Sequence, residues 1–410
     1  MNRKKFLKYV LSTSAFLSVP LKNYSINPSK VQDIIDQSKV DINGSMFGFK
    51  CNSIKKVRIG IIGLGNRGNT LLAMLEYLVQ HDMAEIVALS DISKEKVIKA
   101  NERLNKFQKQ APTLYYKSNE EWKKLSKRDD IDLVVIATPW NLHAPMTIFS
   151  MQNYKHVACE VPISSTLKEC WKIIKTAEET KKHCIMMENC NYNEEELWIL
   201  NMIEEGVFGD ITHTEGAYLH DLRALLLDKT YYEGQWRLNE HINRNGNFYT
   251  THGLGPIAFY LNIGRGDTFQ YLTSMSSREL NLSLAAKKVQ HPIQSYKCGD
   301  MNNTLIKTEK GKTILLQFDV HSGRPYSRIN QLVGTKAVHE GYPSRLYIDA
   351  EELEFWGHKW LSKEDYLTFS KKYQHPMITK LKKISESFKQ GHGGMDFIMI
   401  HRLISCLNQG

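Results

Sequence analysis

The residues with the clearest chemical meaning form a glycine-rich run, Gly63-Leu64-Gly65-Asn66-Arg67-Gly68, after a predicted strand. Gly63 would permit a tight turn, Gly65 a close approach of the backbone to a pyrophosphate, and Gly68 close packing of helix on strand. Asp91 ends the next predicted strand, where a carboxylate accepts from ribose hydroxyls and repels a 2′-phosphate. The pattern predicts a site for NAD rather than NADP; the alternative is a glycine turn without a ligand.

Further polar and aromatic residues follow later strands of the same predicted sheet. The apolar strand Leu133 to Ala137 leads into a loop that carries Trp140, Asn141, Leu142 and His143. Glu160-Val161-Pro162 and Glu188-Asn189 end the next two strands. Ligands bind beyond the carboxyl ends of parallel strands, so we expect these residues to line the cofactor edge. The alternatives are a core role for Trp140 and a structural role for His143.

The elements that must position these residues alternate between strand and helix up to about Met187. Short β-branched runs such as Val57 to Gly63 indicate buried strands, and stretches such as Met146 to Asn153 indicate helices. This alternation predicts an α/β fold with a doubly wound, mainly parallel Rossmann sheet.

The pattern changes after about Asn189, where strand-like runs lie closer together. Closely spaced strands indicate a mixed or antiparallel sheet in a C-terminal α+β domain. A last helix, Gly394 to Asn408, is expected to pack back on the body. We therefore predict an NAD-binding Rossmann domain over residues 55–188 and an α+β substrate and catalytic domain over residues 189–410.

The N-terminus has the layout of an export signal. A basic segment, Asn2 to Lys8, precedes a short apolar run from Tyr9 to Val19 that is too short and too polar to span a membrane. The order resembles a twin-arginine signal with Lys4 in the second arginine place. We predict an export signal over residues 1–20, a polar linker over 21–54 and a periplasmic location; the alternative is a frayed basic tail on a cytoplasmic protein.

The length, charge and cysteine content of the chain limit the kinds of molecule that we expect it to bind. The chain has 410 residues, a formal net charge of +10 and seven cysteines. The length favours two domains. Since no nucleic-acid module is visible, we expect no nucleic-acid binding. Because the N-terminal apolar run is too short to span a bilayer, we expect no stable membrane insertion either. The odd number and the spacing of the cysteines fit no disulfide framework and no zinc motif, so no metal is predicted. The oligomeric state stays open, a homo-oligomer included.

Taken together, these motifs resemble a known family. The glycine turn, Asp91 and Glu160-Val161-Pro162 are similar to those of the Gfo/Idh/MocA oxidoreductases, except that Val161 replaces their usual catalytic lysine. Six further runs resemble glycoside hydrolase family 109: Trp140 to His143, Met187 to Cys190, Gly216 to Arg223, Gly234 to Arg237, Gly246 to Pro256 and Gly391 to Asp396. Thr250, where that family usually has proline, and Asn191 depart from its pattern and leave substrate preference open.

The resemblance to family 109 implies particular ligand contacts. It implies NAD contacts from Asn66, Arg67, Asp91, Trp140, Asn141, Leu142, His143, Glu160, Val161, Asn189 and Tyr249. It implies sugar contacts from Tyr218, Arg237, Tyr249, Thr250, Thr251, His252 and Tyr326. It also implies a carbohydrate substrate, an N-acetylhexosaminide and in particular an α-N-acetylgalactosaminide. It further implies a tightly held NAD that is recycled through oxidation, elimination, water addition and reduction.

Such chemistry needs proton-transfer groups that work near neutral pH. His252 suits it, since the unperturbed pKa of imidazole is about 6.5. Tyr218 and Tyr326 can share protons and orient hydroxyls. His252 as a buried structural histidine and Tyr326 as a surface aromatic are the alternatives. For the whole protein, the alternatives are an NAD-linked sugar dehydrogenase and a non-catalytic NAD-binding sensor.

Overall fold

The computed structural model describes Asp33 and residues 44–349, 358–388 and 392–410. The predicted export signal, residues 1–20, and the linker before residue 44 apart from Asp33 therefore lie outside the described residues. Within the described part of the chain, no helix is both long enough and apolar enough to cross a membrane.

The first sheet has six strands, all parallel, in the order β3-β2-β1-β4-β5-β6. They are β1 (Val57–Ile62), β2 (Ala84–Ser90), β3 (Thr113–Tyr115), β4 (Leu133–Ile136), β5 (His156–Cys159) and β6 (Cys184–Met186). The helices between them are α1 (Asn66–Gln80), α2 (Lys94–Leu104), α3 (Glu121–Ser126), α4 (Trp140–Gln152) and α5 (Leu167–Thr180). Every residue of β4 and β5 is buried, as expected for strands covered on both faces. The strand order reverses between β1 and β4, which opens a ligand crevice at their carboxyl ends.

The second sheet has seven strands in the order β13-β12-β11-β7-β10-β9-β8. They are β7 (Ile211–Leu219), β8 (Phe269–Ser276), β9 (Asn302–Thr308), β10 (Thr313–Asp319), β11 (Gln331–Gly334), β12 (Ala337–Glu340) and β13 (Arg345–Ile348). Only β7 and β10 pair in parallel among these described strands; the other neighbours are antiparallel. This mixed sheet, together with the parallel first sheet, confirms the predicted fold class.

Helices surround the second sheet and return to the first. They are α6 (Glu194–Glu204), α7 (Arg223–Leu227), α8 (Trp236–Asn243), α9 (Thr251–Tyr260), α10 (Asn281–Lys288), α11 (Lys363–Lys372), α12 (Pro376–Ser385) and α13 (Met395–Gln409). Helix α9 packs on the second sheet, where Ile257 joins a core with Ile306 and Ile314. Helix α13 instead places Ile400 and Ile404 in the core of the first sheet. The last segment of the chain thus completes the first domain.

The structure corrects several element predictions. Trp140 to His143 form the first turn of α4, not a loop, and the helix begins six residues before the predicted Met146. Pro139 is the N-cap residue directly before the helix, whereas Pro145 inside the helix gave the sequence a misleading break. Short strands β3 and β12 were missed, because three or four residues carry too little periodicity to identify a strand.

Candidate active site

The glycine turn after β1 has the geometry of a phosphate cradle. Gly63 adopts a φ of +90°, and its N–H donates to Ser90 O at 2.8 Å. A Cβ atom on Gly68 would lie 1.9 Å from Gly63 O, so only glycine permits this turn to sit on the helix. Helix α1 starts after Gly65 without a hydrogen bond from a capping side chain, which leaves the N-terminal N–H groups facing the crevice. Asn66 and Arg67 supply the first of these groups.

Asp91 is fixed against this turn by two backbone hydrogen bonds. Its Oδ2 accepts from Leu64 N–H at 2.7 Å, and its Oδ1 accepts from Ser93 N–H at 2.8 Å. Each carboxylate oxygen has two lone pairs, so both retain capacity for a ribose hydroxyl. The residues therefore fit the ribose and pyrophosphate of a dinucleotide.

The side chain of Arg67 is held by two carboxylates. Its Nε donates to Glu160 at 2.7 Å, and its two Nη atoms donate to Asp396 at 2.6 and 3.1 Å. Asn189 also donates to Asp396, at 2.7 Å, and His392 Nδ1 lies 2.9 Å from the same carboxylate. Three residues predicted to contact NAD, Arg67, Glu160 and Asn189, thus share one network of ion pairs and hydrogen bonds. In this network the charge of Arg67 is neutralised, and its side chain is held at the side of the crevice.

Asp396 pairs with Arg67 and His392 in this network, although no sequence motif indicated its charge pairing. It is fully buried in the first turn of α13. Burial alone would raise the pKa of this carboxyl, but hydrogen bonds from His392 and the charge of Arg67 hold its pKa well below the ordinary value. The run Gly391 to Asp396 contributed to the family resemblance, but no spacing rule could pair it with Arg67.

The residues at the start of α4 divide by exposure. Trp140 and His143 are buried, whereas Asn141 and Leu142 are exposed at the crevice edge. His143 Nδ1 lies 2.7 Å from Pro162 O and its Nε2 2.7 Å from Thr138 O. Both ring nitrogens are thus occupied by backbone carbonyls, so His143 joins the turns after β4 and β5 rather than offering a ring nitrogen to a ligand. Val161, in the second of these turns, is buried.

Arg237 lies inside a cage of aromatic rings. Its guanidinium carbon is 5.0 Å from the Trp140 ring centroid, 5.2 Å from that of Tyr232 and 4.9 Å from that of Tyr249. Nη1 donates to the Tyr232 hydroxyl at 2.9 Å, whereas the buried Nε and Nη2 have no partner among the described residues. Because unsatisfied buried donors are costly, this group is prepared for an oxygen acceptor of a ligand.

Three predicted catalytic side chains meet beside this cage. The Tyr218 ring centroid is 5.3 Å from that of His252 and 6.2 Å from that of Tyr326. The Tyr218 hydroxyl lies 3.1 Å from His220 Nδ1, and Tyr326 accepts from Arg328 at 3.2 Å. Burial raises the pKa of Tyr218 to about 12, although the charge of Arg237 opposes the shift. The phenol is therefore protonated at neutral pH and can donate.

His252 has a carboxylate partner that the sequence analysis placed only at a strand end. Its Nδ1 lies 2.7 and 3.0 Å from the two carboxylate oxygens of Glu188. Burial would raise the pKa of Glu188, but the charge of His252 and its hydrogen bond keep that pKa below the ordinary value. The pair leaves Nε2 as the imidazole nitrogen that can act on a substrate. In the sequence, only the position of Glu188 at the end of a predicted strand indicated that it belongs to the site.

The start of α9 brings His252 to this position. Thr250 is its N-cap, Thr251 its first residue, and Gly253 lies against β7. A Cβ on Gly253 would be 2.5 Å from Ala217 N, and one on Gly216 would be 2.6 Å from Gly253 O. Helix and strand therefore touch through two glycines, which sets His252 directly beside Tyr218.

The fold and this site define a class: an NAD-binding Rossmann enzyme with a second domain that closes the cofactor edge. Residues 57–188 match the model of the Gfo/Idh/MocA oxidoreductase family, NAD-binding Rossmann fold, and residues 192–410 match the glycosyl hydrolase 109 C-terminal domain. The chain is 40% identical to the alpha-N-acetylgalactosaminidase of Shewanella oneidensis over 415 residues, with 100% of this chain and 88% of that protein covered. It therefore belongs to glycoside hydrolase family 109 and is a glycoside hydrolase, which disfavours the dehydrogenase alternative.

Solved structures share the architecture at low sequence identity. Levoglucosan dehydrogenase in complex with NADH and levoglucosan gives a TM-score of 0.62 at 17% identity, over 86% of this chain and 90% of that one. The WlbA dehydrogenase from Bordetella pertussis in complex with NADH and UDP-GlcNAcA gives 0.59 at 16% identity, over 88% and 90%. At such identities the likeness shows the fold alone.

Proposed function

We propose that this enzyme hydrolyses an N-acetylhexosaminide, preferably an α-N-acetylgalactosaminide, with a tightly held NAD that is restored in every turnover. The main observation behind the proposal is the pair of buried Glu188 and partly exposed His252, which lies beside Tyr218 at the carboxyl edge of the NAD-binding sheet. The name of the Shewanella relative supports the choice of sugar. Val161, in the place of the dehydrogenase lysine, supports hydrolysis over simple oxidation.

The chain's own groups would hold the dinucleotide. The turn from Gly63 to Gly68 would receive the pyrophosphate, and Asp91 the ribose hydroxyls. Asn141 and Leu142 lie exposed at the edge beyond β4, and Tyr249 stacks on Trp140 with ring centroids 5.8 Å apart. When bound there, NAD supplies a reversible hydride acceptor for a sugar carbon.

His252 is the candidate acid–base group. With Nδ1 held by Glu188, its Nε2 can take a proton from the substrate and return one, while the carboxylate stabilises the imidazolium formed in between. Tyr218, whose raised pKa keeps it protonated, can donate to a sugar oxygen that gains negative charge. Tyr326 can share a proton in the same way, while Arg328 polarises its hydroxyl.

Arg237 is the candidate group for orienting the sugar. Its Nε and Nη2 have no hydrogen-bond partner in the part of the chain that the structure describes, and the rings of Trp140 and Tyr249 give the surrounding cage an apolar surface. Sugars are bound through such a combination of flat apolar faces and fixed polar groups. Thr250 and Thr251, at the start of α9, border the same space and can adjust substrate preference.

A panel of nitrophenyl glycosides, with nitrophenol release and NADH absorbance followed together, tests the proposal. We expect release from the α-N-acetylgalactosaminide with no net NADH. Turnover in deuterium oxide should also place deuterium at the sugar C2, because that proton is removed and replaced. Stoichiometric formation of NADH together with oxidised sugar would identify a dehydrogenase instead. NAD binding without turnover of any glycoside would support the alternative of a non-catalytic NAD-binding sensor.

We also propose export by the twin-arginine-like route, which allows the protein to fold around NAD before it crosses the membrane. The basic and apolar run from Asn2 to Val19 supports it. A fusion of residues 1–55 to a reporter should reach the periplasm. The matched fusion in which Arg3 and Lys4 are both changed to Gln should stay in the cytoplasm; equal retention of both fusions would refute the proposal.

A further inference from the structure

A second cluster of reactive side chains lies beyond Tyr218, where the ring of Phe318 stacks on Tyr218 on one side and on His241 on the other. His241 on α8, His321 just after β10 and Cys298 in the loop before β9 bring ligand atoms within 4.8 Å of one another. All three are buried, and His241 Nδ1 lies 2.9 Å from His321 Nε2. Because the three residues come from separate segments, no spacing motif marks them, and the sequence predicted no metal.

We propose that this cluster is a binding site for a divalent metal ion, and that zinc is its natural occupant. Two imidazoles and one thiolate are a donor set that zinc prefers. In a tetrahedral zinc site, neighbouring ligand atoms lie roughly 3.3–3.6 Å apart. Here the two imidazole nitrogens are 2.9 Å apart, and all three ligand atoms lie within 4.8 Å of one another, so the observed spacing brackets the value that zinc requires. An ion would replace the present hydrogen bond between the two imidazoles, and three protein ligands leave one tetrahedral position for a water molecule.

The surroundings of His321 resemble the outer shell of a metal site. Asp300 Oδ1 lies 3.4 Å from His321 Nδ1, and hydrogen bonds from Leu280 N–H and Asn281 N–H fix this carboxylate in turn. A carboxylate on one imidazole nitrogen directs the lone pair of the other nitrogen toward a metal and makes it more basic. His241 Nε2, the ring nitrogen that faces away from His321, is buried without a hydrogen-bond partner among the described residues.

The ion would support the substrate site without touching it. His241 lies one helical turn beyond Arg237, and its carbonyl accepts from Lys297 N–H and Cys298 N–H at 3.0 Å each. Gly299 N–H donates to Asn245 Oδ1 at 2.9 Å, just before the loop that carries Tyr249. A metal would therefore join α8, the loop before β9 and the end of β10 into one rigid support.

Metal analysis of the purified full-length chain tests this inference independently of any glycosidase activity. We expect about one zinc per chain, a loss of this zinc to a strong chelator, and a fall in Tm by several degrees that added zinc reverses. A chain that is purified without metal and whose Tm does not respond to zinc would overturn the proposal.

Cobalt substitution locates the ion. Bound cobalt should show thiolate charge-transfer absorption, which Cys298→Ser should abolish. The matched control is Cys190→Ser, since Cys190 lies in a second buried group with Glu188 and His252; there the band should persist. Loss of the band in Cys190→Ser would move the ion to the active site and refute the assignment, even if Cys298→Ser fails to fold.

Discussion

At the scale of single residues, the site depends on how its buried charges are paired. A buried carboxylate is tolerated only when charged or hydrogen-bonding partners offset its lost hydration. Glu188 has such a partner in His252, and Asp396 has partners in Arg67 and His392. One pair supports proton transfer and the other supports the cofactor crevice, so their removal should have different consequences.

Glu188→Gln should lower kcat by about 10²-fold with little change in KM, because the amide cannot stabilise the imidazolium at position 252. The pH profile of kcat should move as well, which a purely structural role would not produce. Steady-state kinetics across pH would measure both.

A matched control exists on β7, where Glu215 lies 3.4 Å from His213 away from the crevice. Glu215→Gln removes the same charge from a longer and more exposed Glu–His pair and should leave both kcat and its pH profile unchanged. If Glu188→Gln behaved like this control, His252 would not act as the proton-transfer group.

Asp396→Asn should make stability less dependent on acid pH. Because the pKa of Asp396 is lowered in the folded state, its ionised form contributes stability above its unfolded pKa of about 3.9, and this contribution is lost as pH falls further. At pH 7 the variant should lose about 3 kcal/mol, the usual cost of breaking a buried pair. Thermal unfolding from pH 6 to pH 2 should show a constant gap to the wild type above about pH 4 and a narrowing gap below it; a gap that stays the same down to pH 2 would contradict the pairing.

At the scale of elements, the close contact between α9 and β7 sets the distance from His252 to Tyr218. Gly253→Ala would place a methyl group 2.5 Å from Ala217 N, so helix and strand must separate. Overpacking of this kind costs about 1–3 kcal/mol. We expect a lower Tm and a kcat reduced at least tenfold, because a shifted imidazole loses its alignment.

The control for this substitution is Ala258→Ser, a small change at a partly exposed position of the same helix. Thermal unfolding and nitrophenyl glycoside kinetics on both variants would separate local misalignment from a general weakening of α9. Wild-type kcat in Gly253→Ala would show that the glycine contact does not position the histidine.

The elements that the sequence predicted well are those that local rules determine. Gly63, Gly65 and Gly68 follow a strand at fixed spacing, and β4 is an unbroken apolar run, so turn and strand were both predictable. The start of α4 was not predictable in this way, because Pro145 looks like a helix boundary when only the sequence is considered. Pairings such as Arg67 with Asp396 join distant parts of the chain, and no local rule selects one carboxylate among many.

At the scale of the whole molecule, the chain crosses from the first domain to the second and then returns. Helix α13 buries Ile400, Leu403 and Ile404 in the core of the first sheet, against residues such as Leu71 of α1. The same helix carries Asp396, which binds Arg67 beside the glycine turn. The cofactor site therefore includes a side chain that lies 329 positions beyond Arg67 in the sequence.

This topology predicts that residues 55–188 alone will not form a stable NAD-binding domain. The fragment would expose the apolar surface that α13 covers, at roughly 1.5–3 kcal/mol for each large side chain left unburied, which is comparable to the whole stability of a small domain. Arg67 would also lose its partner Asp396, which leaves Glu160 as its remaining carboxylate. Circular dichroism and NAD titration should show a poorly folded fragment, and a fragment that joins residues 55–188 to residues 392–410 through a flexible linker should recover both structure and binding. Cooperative unfolding and NAD binding by the fragment of residues 55–188 would mean that this domain is stable and binds NAD without α13.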